Sequence, residues 1–411
     1  MAEHYQTCRF PNGFTVLVES VPGVRSAAYS LLIPAGSMFD APDTLGAANL
    51  VSDWASRESL RLDSRALADE LDGRGVQRTE SAEIRFASFH GACLAEHLPA
   101  ALEILAETLR TPRLSEVQFE FCQAGCLQEL EALEDEPGQK LFVELRKLAL
   151  PPPLGQPTLG TRDTVEGLTP AAAAAFHAGR YRPDGAILGV AGAVDFAAVR
   201  ELALRAFGDW PAGAAAEPSL GTPPGGRGHV AGDKNQTHLA LAFPSVPYAD
   251  PDFYAAHAVA SALGGGMSSR LFAEVREKRG LCYSVSASYY PFKDRGMMLC
   301  YAGSTNERAQ ETLAVIRGEL ARLPEGISAA ELARAKIGLK TALVMQEEST
   351  SARAGVLARS WYHLGRVRSL AEIAAAVDAL TPAAVTAYLE RWPPRNFVLA
   401  TLGPQPLEMP A

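Results

Sequence analysis

Few residues in this chain have a type and spacing that could do chemistry. The most distinctive run is LGGGMSSRLFAEVREKRGLCYSVSASYY, Leu263 to Tyr290. Gly264, Gly265 and Gly266 permit a tight turn or a close backbone approach. Ser268 or Ser269 can cap the helix that follows. Leu271, Phe272 and Val275 form its buried stripe, and Arg276, Glu277, Lys278 and Arg279 finish it, with cations favoured near its C-terminal end. Gly280 suits a helix stop, and LCYSVSASYY then alternates as a strand, with Tyr283 on the face of Leu281 and Val285. On pattern alone this is a packed helix–strand unit whose tyrosine belongs to the core. The glycine triplet precedes no P-loop lysine and matches no G-x-G-x-x-G unit.

Other chemistries find less support. The eight histidines, His4, His90, His97, His177, His229, His238, His257 and His363, include no pair at H-x-x-x-H spacing. His90, Glu96 and His97 are the nearest cluster, at the end of an apolar strand and the start of a helix, where surface or packing roles are favoured. No G-x-S-x-G elbow is present. Cys282, beside Tyr283, could act as a nucleophile only with a histidine that nothing in the sequence places next to it.

The elements around these residues show an internal repeat. LTPAAAAAFHAGRYRPDGAILGVAG at 168–192 matches LTPAAVTAYLERWPPRNFVLATLG at 380–403, an offset of about 212 residues. In each, a threonine (Thr169, Thr381) can cap a helix whose first residue is proline, and an apolar strand closed by glycine follows. VRSAAYSLLIPAG at 24–36 and QTHLALAFPSVP at 236–247 alternate alike, with Pro34 matching Pro244. The chain therefore reads as two homologous domains, 1–212 and 229–411, joined by a linker at 213–228 rich in Pro, Gly and Ala. Strands and helices come in blocks, which points to an α+β fold with each sheet covered by helices. Long helices are expected from Ser115 to a proline stop at Pro137, and from Ser328 through WYHL to Leu364; SLAEIAAAVDAL follows from Ser369.

Composition narrows the function. With 411 residues, 47% of them apolar, and a net charge of −9, the chain can build a core in each domain and shows no basic patch for nucleic acid. No run of about 20 apolar residues suggests a membrane span, and the N-terminus shows no signal peptide. The six cysteines form no C-x-x-C pair; Cys122 and Cys126 lie one helical turn apart. Reduced thiols and a cytoplasmic location are the expectation.

LGGGMSSRLFAEVREKRGLCYSVSA, with the two-half layout around it, resembles the second-domain signature of the M16 (pitrilysin, insulinase, mitochondrial processing peptidase) metallopeptidase family. The resemblance spans essentially the whole chain. It implies two α+β domains, each an antiparallel sheet covered by helices, forming half of a clamshell. It also implies that Arg276 and Tyr283 hold the substrate backbone and stabilise the tetrahedral intermediate, as hydrogen-bond donors to a developing oxyanion can. Gly264, Gly265 and Gly266 are candidate substrate-loop residues, with a plain turn the favoured reading.

The first domain of that family carries an H-x-x-E-H helix: two histidines bind zinc, and the glutamate is base to the metal-bound water. A helix some 75 residues on supplies a glutamate as third ligand. In the segment that resembles this site, DTLGAANLVSDWASRES, the five positions read Asn49, Leu50, Val51, Ser52 and Asp53. In FEFCQAGCLQELEALEDEP the resemblance puts Cys122 at the third-ligand place. Asn49, Ser52, Asp53 and Cys122 make a degenerate zinc site: an amide is a weak ligand, and serine cannot accept a proton from metal-bound water at neutral pH. No metal or cofactor is expected in this chain.

Some members of this family pair a zinc-bearing subunit with a related subunit lacking the ligands. The resemblance therefore implies a heterodimer with an H-x-x-E-H homologue that holds the zinc, acting on an unfolded peptide bound as an added strand. The alternative is a non-catalytic scaffold or peptide-binding pseudoenzyme, as a homodimer or a core-type subunit.

Overall fold

The computed structural model of the chain describes residues 5–213, 216–232 and 235–409. His4 and linker residues 214 and 215 lie outside these. The chain divides into two compact units, and neither is a continuous half of the sequence. The first comprises 1–132, 156–221 and 345–369, and the second 133–155, 222–344 and 370–411.

The first unit is built on a six-stranded sheet. Its strands are β1 (Gln6–Arg9), β2 (Thr15–Ser20), β3 (Ser26–Ile33), β4 (Gln77–Ala82), β5 (Ala87–Leu94) and β6 (Ile187–Gly192), in the order β1-β2-β6-β3-β5-β4. All pairs are antiparallel except β2 with β6. The central strand β6, ILGVAG, is buried at every position, as befits a strand covered on both faces. On one face, helices Ala47–Arg57, Leu98–Arg110 and Phe196–Phe207 bury Leu50, Trp54, Leu102, Leu109 and Phe207 against Leu31 and Val190. On the other lies helix Thr350–Leu364, whose Ala354 and Leu357 meet Leu17, Leu32 and Ile187. It sits so close that a Cβ on Gly189 would stand 2.3 Å from the Ala354 carbonyl oxygen.

The second unit repeats the plan with five strands: β7 (Arg227–Ala231), β8 (Gln236–Ser245), β9 (Cys282–Pro291), β10 (Gly296–Thr305) and β11 (Val398–Gly403), ordered β7-β11-β8-β10-β9. Only β7 and β11 run parallel. Helices Phe253–Gly264, Ala309–Arg322 and Pro382–Arg391 cover one face. Helix Pro137–Ala149 covers the other, burying Leu141 and Leu145 against Ala240, Ala242, Leu299 and Ala400. Each such fully buried leucine contributes roughly 1.5–3 kcal/mol.

The repeat seen in the sequence is structural. Thr169 accepts a hydrogen bond from Ala172 N and Thr381 from Ala384 N, each capping a helix that opens on proline. The strands that follow, β6 and β11, both pair antiparallel with the strand bearing the second repeat match, β3 and β8. Two details depart from the helices read in sequence. Pro137 does not simply end a helix; it is the first residue of the next one, where its missing N–H costs nothing. The long helix from Ser328 is two, Ala329–Glu347 and Thr350–Leu364, because the Ser349 side chain accepts from Ala352 N and caps the second. Pro137–Ala149 and Thr350–Leu364 are the two helices that each sheet takes from the opposite half of the sequence.

Two residues of the expected linker, Ala216 and Glu217, are held down. Arg85 donates two hydrogen bonds to Glu217, at 2.9 and 2.6 Å, and Arg180 donates to the Ala216 carbonyl at 2.9 Å. Among the described residues no single helix is long and apolar enough to cross a membrane.

Candidate functional site

The four degenerate zinc-site positions come together in the first unit. Helix Ala47–Arg57 is started by Asp40, whose carboxylate oxygens accept from Gly46 N and Ala48 N, both at 2.9 Å. Burial pushes Asp40 up to about 7, against the pull of those two hydrogen bonds. Gly46 takes φ 96°, and a Cβ there would meet the Leu159 carbonyl oxygen at 2.8 Å, so only glycine suits this entry.

From that helix the Asn49 amide donates to Glu129 Oε2 at 3.0 Å and to Cys126 Sγ at 3.5 Å. Ser52, buried, donates back to the Asn49 carbonyl at 2.8 Å. Asp53 is gripped by Arg57, which donates from Nε at 2.7 Å and from Nη2 at 2.8 Å. Burial, reinforced by the Asp53 carboxylate, drives the Cys122 thiol far above its usual range. Burial and the neighbouring Glu129 push Cys126 up to about 12.

Zinc does not fit this donor set. Both Asp53 oxygens are engaged by a guanidinium, and thiols bind zinc as thiolates, which these burials oppose. Asn49 offers an amide, and no base stands at position 52. Among the described residues no three His, Cys, Asp or Glu side chains are placed to hold a metal ion.

One residue of this site was missed in the sequence. The carboxylate that reaches Asn49 is that of Glu129, two helical turns beyond Cys122 on the same helix. It follows Asp53 by 76 residues, within QELEALEDEP. That spacing was the available signal. Cys122 faces Asp53 instead.

The remaining candidates do not converge. His97 and Glu96 approach to 4.0 Å, while burial, then Arg359, lowers His90. Burial pushes Cys282 up to about 11, and among the described residues no histidine hydrogen-bonds to it.

Arg276 and Tyr283 do meet. The segment Phe272–Glu277 is a π-helix, with Lys278 N donating to Ala273 O at 3.0 Å and Leu281 N to Val275 O at 2.9 Å. Such turns widen a helix and are frequent at functional sites. Leu271 and Val275 are buried, while Arg276 is exposed. Its guanidinium lies 4.8 Å from the Phe272 ring centroid and 5.4 Å from that of Tyr283. Glu274, the nearby acid, is taken by Lys278 at 2.5 Å and Arg279 at 2.7 Å. Among the described residues no carboxylate lies within ion-pair distance of Arg276.

Tyr283 is not a core residue. Gly303 pairs with Ser284 and Ser304 with Cys282, so Tyr283 is the extra residue of a β-bulge. A bulge breaks the alternation that would place it beside Leu281 and re-aims its side chain; the residue is 80% exposed.

Arg270 braces the same segment. It donates to Glu331 at 2.6 and 3.0 Å and to the Gly326 carbonyl at 2.8 Å. Ser269, expected as a possible cap, makes no hydrogen bond through its side chain. The three glycines differ. Gly264 allows a close approach: a Cβ there would stand 2.1 Å from Ala287 N. Gly265 ends helix Phe253–Gly264. Gly266 faces open space.

Comparison with known proteins decides the family. Residues 15–162 match the family described as Insulinase (Peptidase family M16), and residues 167–339 match the Peptidase M16 inactive domain. The chain belongs to the M16 peptidase family. Among its relatives in the family, an uncharacterized zinc protease of Rickettsia bellii is 26% identical over 409 residues, covering 99% of each chain. One from Streptomyces coelicolor is 29% identical, over 96% of this chain and 88% of its own length. The fold matches that of a peptidase M16 inactive domain from Pseudomonas fluorescens, with a TM-score of 0.90, 24% identity and coverage of 99% and 100% of the two chains. A Helicobacter pylori protease gives a TM-score of 0.88 at 21% identity, covering 97% and 99%.

Proposed function

We propose that this chain is the zinc-free subunit of a heterodimeric M16-type peptidase, and that it supplies Arg276 and Tyr283 to peptide hydrolysis. The observation that carries this reading is the exposed pair itself: a guanidinium with no carboxylate partner among the described residues, 5.4 Å from the ring centroid of an 80% exposed tyrosine. Tyr283 is exposed where plain alternation would bury it, and Glu274, two residues before Arg276 and so not facing it, is taken by Lys278 and Arg279. A β-bulge turns Tyr283 outward, and the π-helix carries Arg276 beside it.

In this assembly the metal and the base belong to an H-x-x-E-H homologue. The residues of this chain donate hydrogen bonds, from the phenol and the guanidinium, to the carbonyl oxygen of the peptide as negative charge grows on it. Donors preset where charge develops are worth about 10²–10³ in turnover each. At the degenerate site, Glu129 rather than Cys122 takes the place of the third ligand, where it serves to hold Asn49.

The test is to recover the native protein gently from its own cells and identify its companions by mass spectrometry. A stoichiometric H-x-x-E-H homologue is the expected result. A lone chain or a homodimer would turn the reading to a peptide-binding pseudoenzyme or scaffold.

A further inference from the structure

We propose that Ser304 and Thr312 are positioning residues of the Arg276–Tyr283 pair: their buried hydroxyls hold the Leu281 carbonyl, and so fix the β-bulge that turns the Tyr283 phenol outward beside the guanidinium. This rests on the reading of that pair as peptide-facing groups and adds to it the device that sets its geometry.

The pairing of β9 with β10 is regular from Pro291 to Ser284 and then skips Tyr283, so that Cys282 lies opposite Ser304. Tyrosine suits a regular strand, so its own type does not explain the extra residue. The shifted register has a different gain. Leu281 is buried, and a buried carbonyl needs a donor. Ser304 Oγ donates to it at 2.5 Å. Thr312, on helix Ala309–Arg322, donates to Ser304 Oγ at 3.1 Å, and its hydroxyl stands 3.5 Å from the same carbonyl oxygen. Both side chains are buried, so neither can touch a substrate; they act through the backbone they hold.

The same point anchors Arg276. Leu281 N donates to Val275 O at 2.9 Å, and Gly280 N donates to Arg276 O at 3.1 Å. Gly280 takes φ 59°, the left-handed conformation that glycine adopts without strain. Its carbonyl accepts from Arg308 Nη1 at 2.7 Å, and the Arg308 carbonyl accepts from Thr312 N at 2.9 Å. The end of β10 and the start of helix Ala309–Arg322 therefore grip the turn that joins the two functional residues. On the far side of the extra residue, Ser284 shares a hydrogen bond with the Tyr301 hydroxyl, which bonds His238 Nδ1 at 2.8 Å. The strand is thus held on both sides of Tyr283.

The experiment uses the full chain with meta-fluorotyrosine in place of Tyr283, read by fluorine NMR. Arg276→Ala should shift the resonance, since the guanidinium lies 5.4 Å from the ring centroid. Ser304→Ala with Thr312→Val should move or broaden the resonance and remove its response to Arg276→Ala. Thr312→Ser keeps the hydroxyl and should give the wild-type spectrum, whereas Thr312→Val alone, which keeps the shape, should not. A packing role would give the reverse order, and these single variants carry the comparison if the double variant does not fold. In the proposed heterodimer the double variant should lower kcat about 10²-fold at unchanged zinc content, as a small misplacement of a catalytic group can. A wild-type resonance that ignores Arg276→Ala overturns the proposal. So does a double variant whose resonance and response match the wild type. A displaced resonance with unaltered turnover would instead overturn the reading of the pair as functional and leave the positioning intact.

Discussion

Arg276 and Tyr283 sit on two separate irregularities of the backbone, a π-helix and a β-bulge, with guanidinium and ring centroid 5.4 Å apart. In a regular helix and a regular strand the tyrosine would fall on the face of Leu281, which is buried. The exposure of Tyr283 is thus a product of a local departure from ideal strand geometry.

The brace behind this pair gives a stability prediction. Glu331 is held down at about 2, first by its hydrogen bonds from Arg270. Its folded-state value lies below the unfolded value near 4.5, so its contribution is present above pH 4.5 and is lost as pH falls from there toward 2. Arg270→Ala should cost about 1.5–3 kcal/mol at neutral pH. Urea unfolding at pH 7 and pH 3 should show a smaller difference between wild type and variant at the lower pH. An undiminished difference would mean that the ion pair is not what Arg270 contributes.

The glycine run separates packing from binding. Gly264→Ala forces a Cβ against the Ala287 backbone and should destabilise by about 1–3 kcal/mol. Gly266→Ala meets nothing within 4 Å and should leave the melting temperature nearly unchanged. If Gly266 only turns the chain, peptide turnover by the proposed heterodimer will be unchanged as well. A fall in turnover at constant melting temperature would make it a substrate contact.

Glu129 offers a gain-of-function test. Asn49→His, Ser52→Glu and Asp53→His together restore the H-x-x-E-H pattern opposite its carboxylate. The triple variant should retain about one zinc per chain after dialysis, by elemental analysis, as three protein ligands suffice for such sites. Adding Glu129→Gln should abolish retention, whereas adding Cys122→Ala should not. The opposite pattern would return the third place to Cys122.

Much of the layout is legible in the sequence, for physical reasons. Thr169 and Thr381 before prolines mark helix starts because side-chain caps and proline at the first turn are local effects. The alternation of β3 and β8 marks strands but suggests a half-buried pair, whereas both are covered on two faces and buried almost throughout, because a helix from the other half of the sequence covers the second face. The exchange of helices Pro137–Ala149 and Thr350–Leu364 between the sheets is not legible, since which sheet a helix covers depends on contacts far apart in the chain. The exposure of Tyr283 was hidden for a similar reason: a bulge is defined by the register against β10, which no local pattern reveals. Glu129 could have been placed by counting from Asp53, but Cys122 lies on the same helix and competes for the assignment.

The central claim is tested most directly by turnover of an unfolded peptide by the proposed heterodimer, reconstituted from this chain and an H-x-x-E-H homologue. The account predicts that Arg276→Ala and Tyr283→Phe each lower kcat by about 10²–10³, with zinc content and assembly of the complex unchanged. Wild-type turnover in the double variant would contradict it.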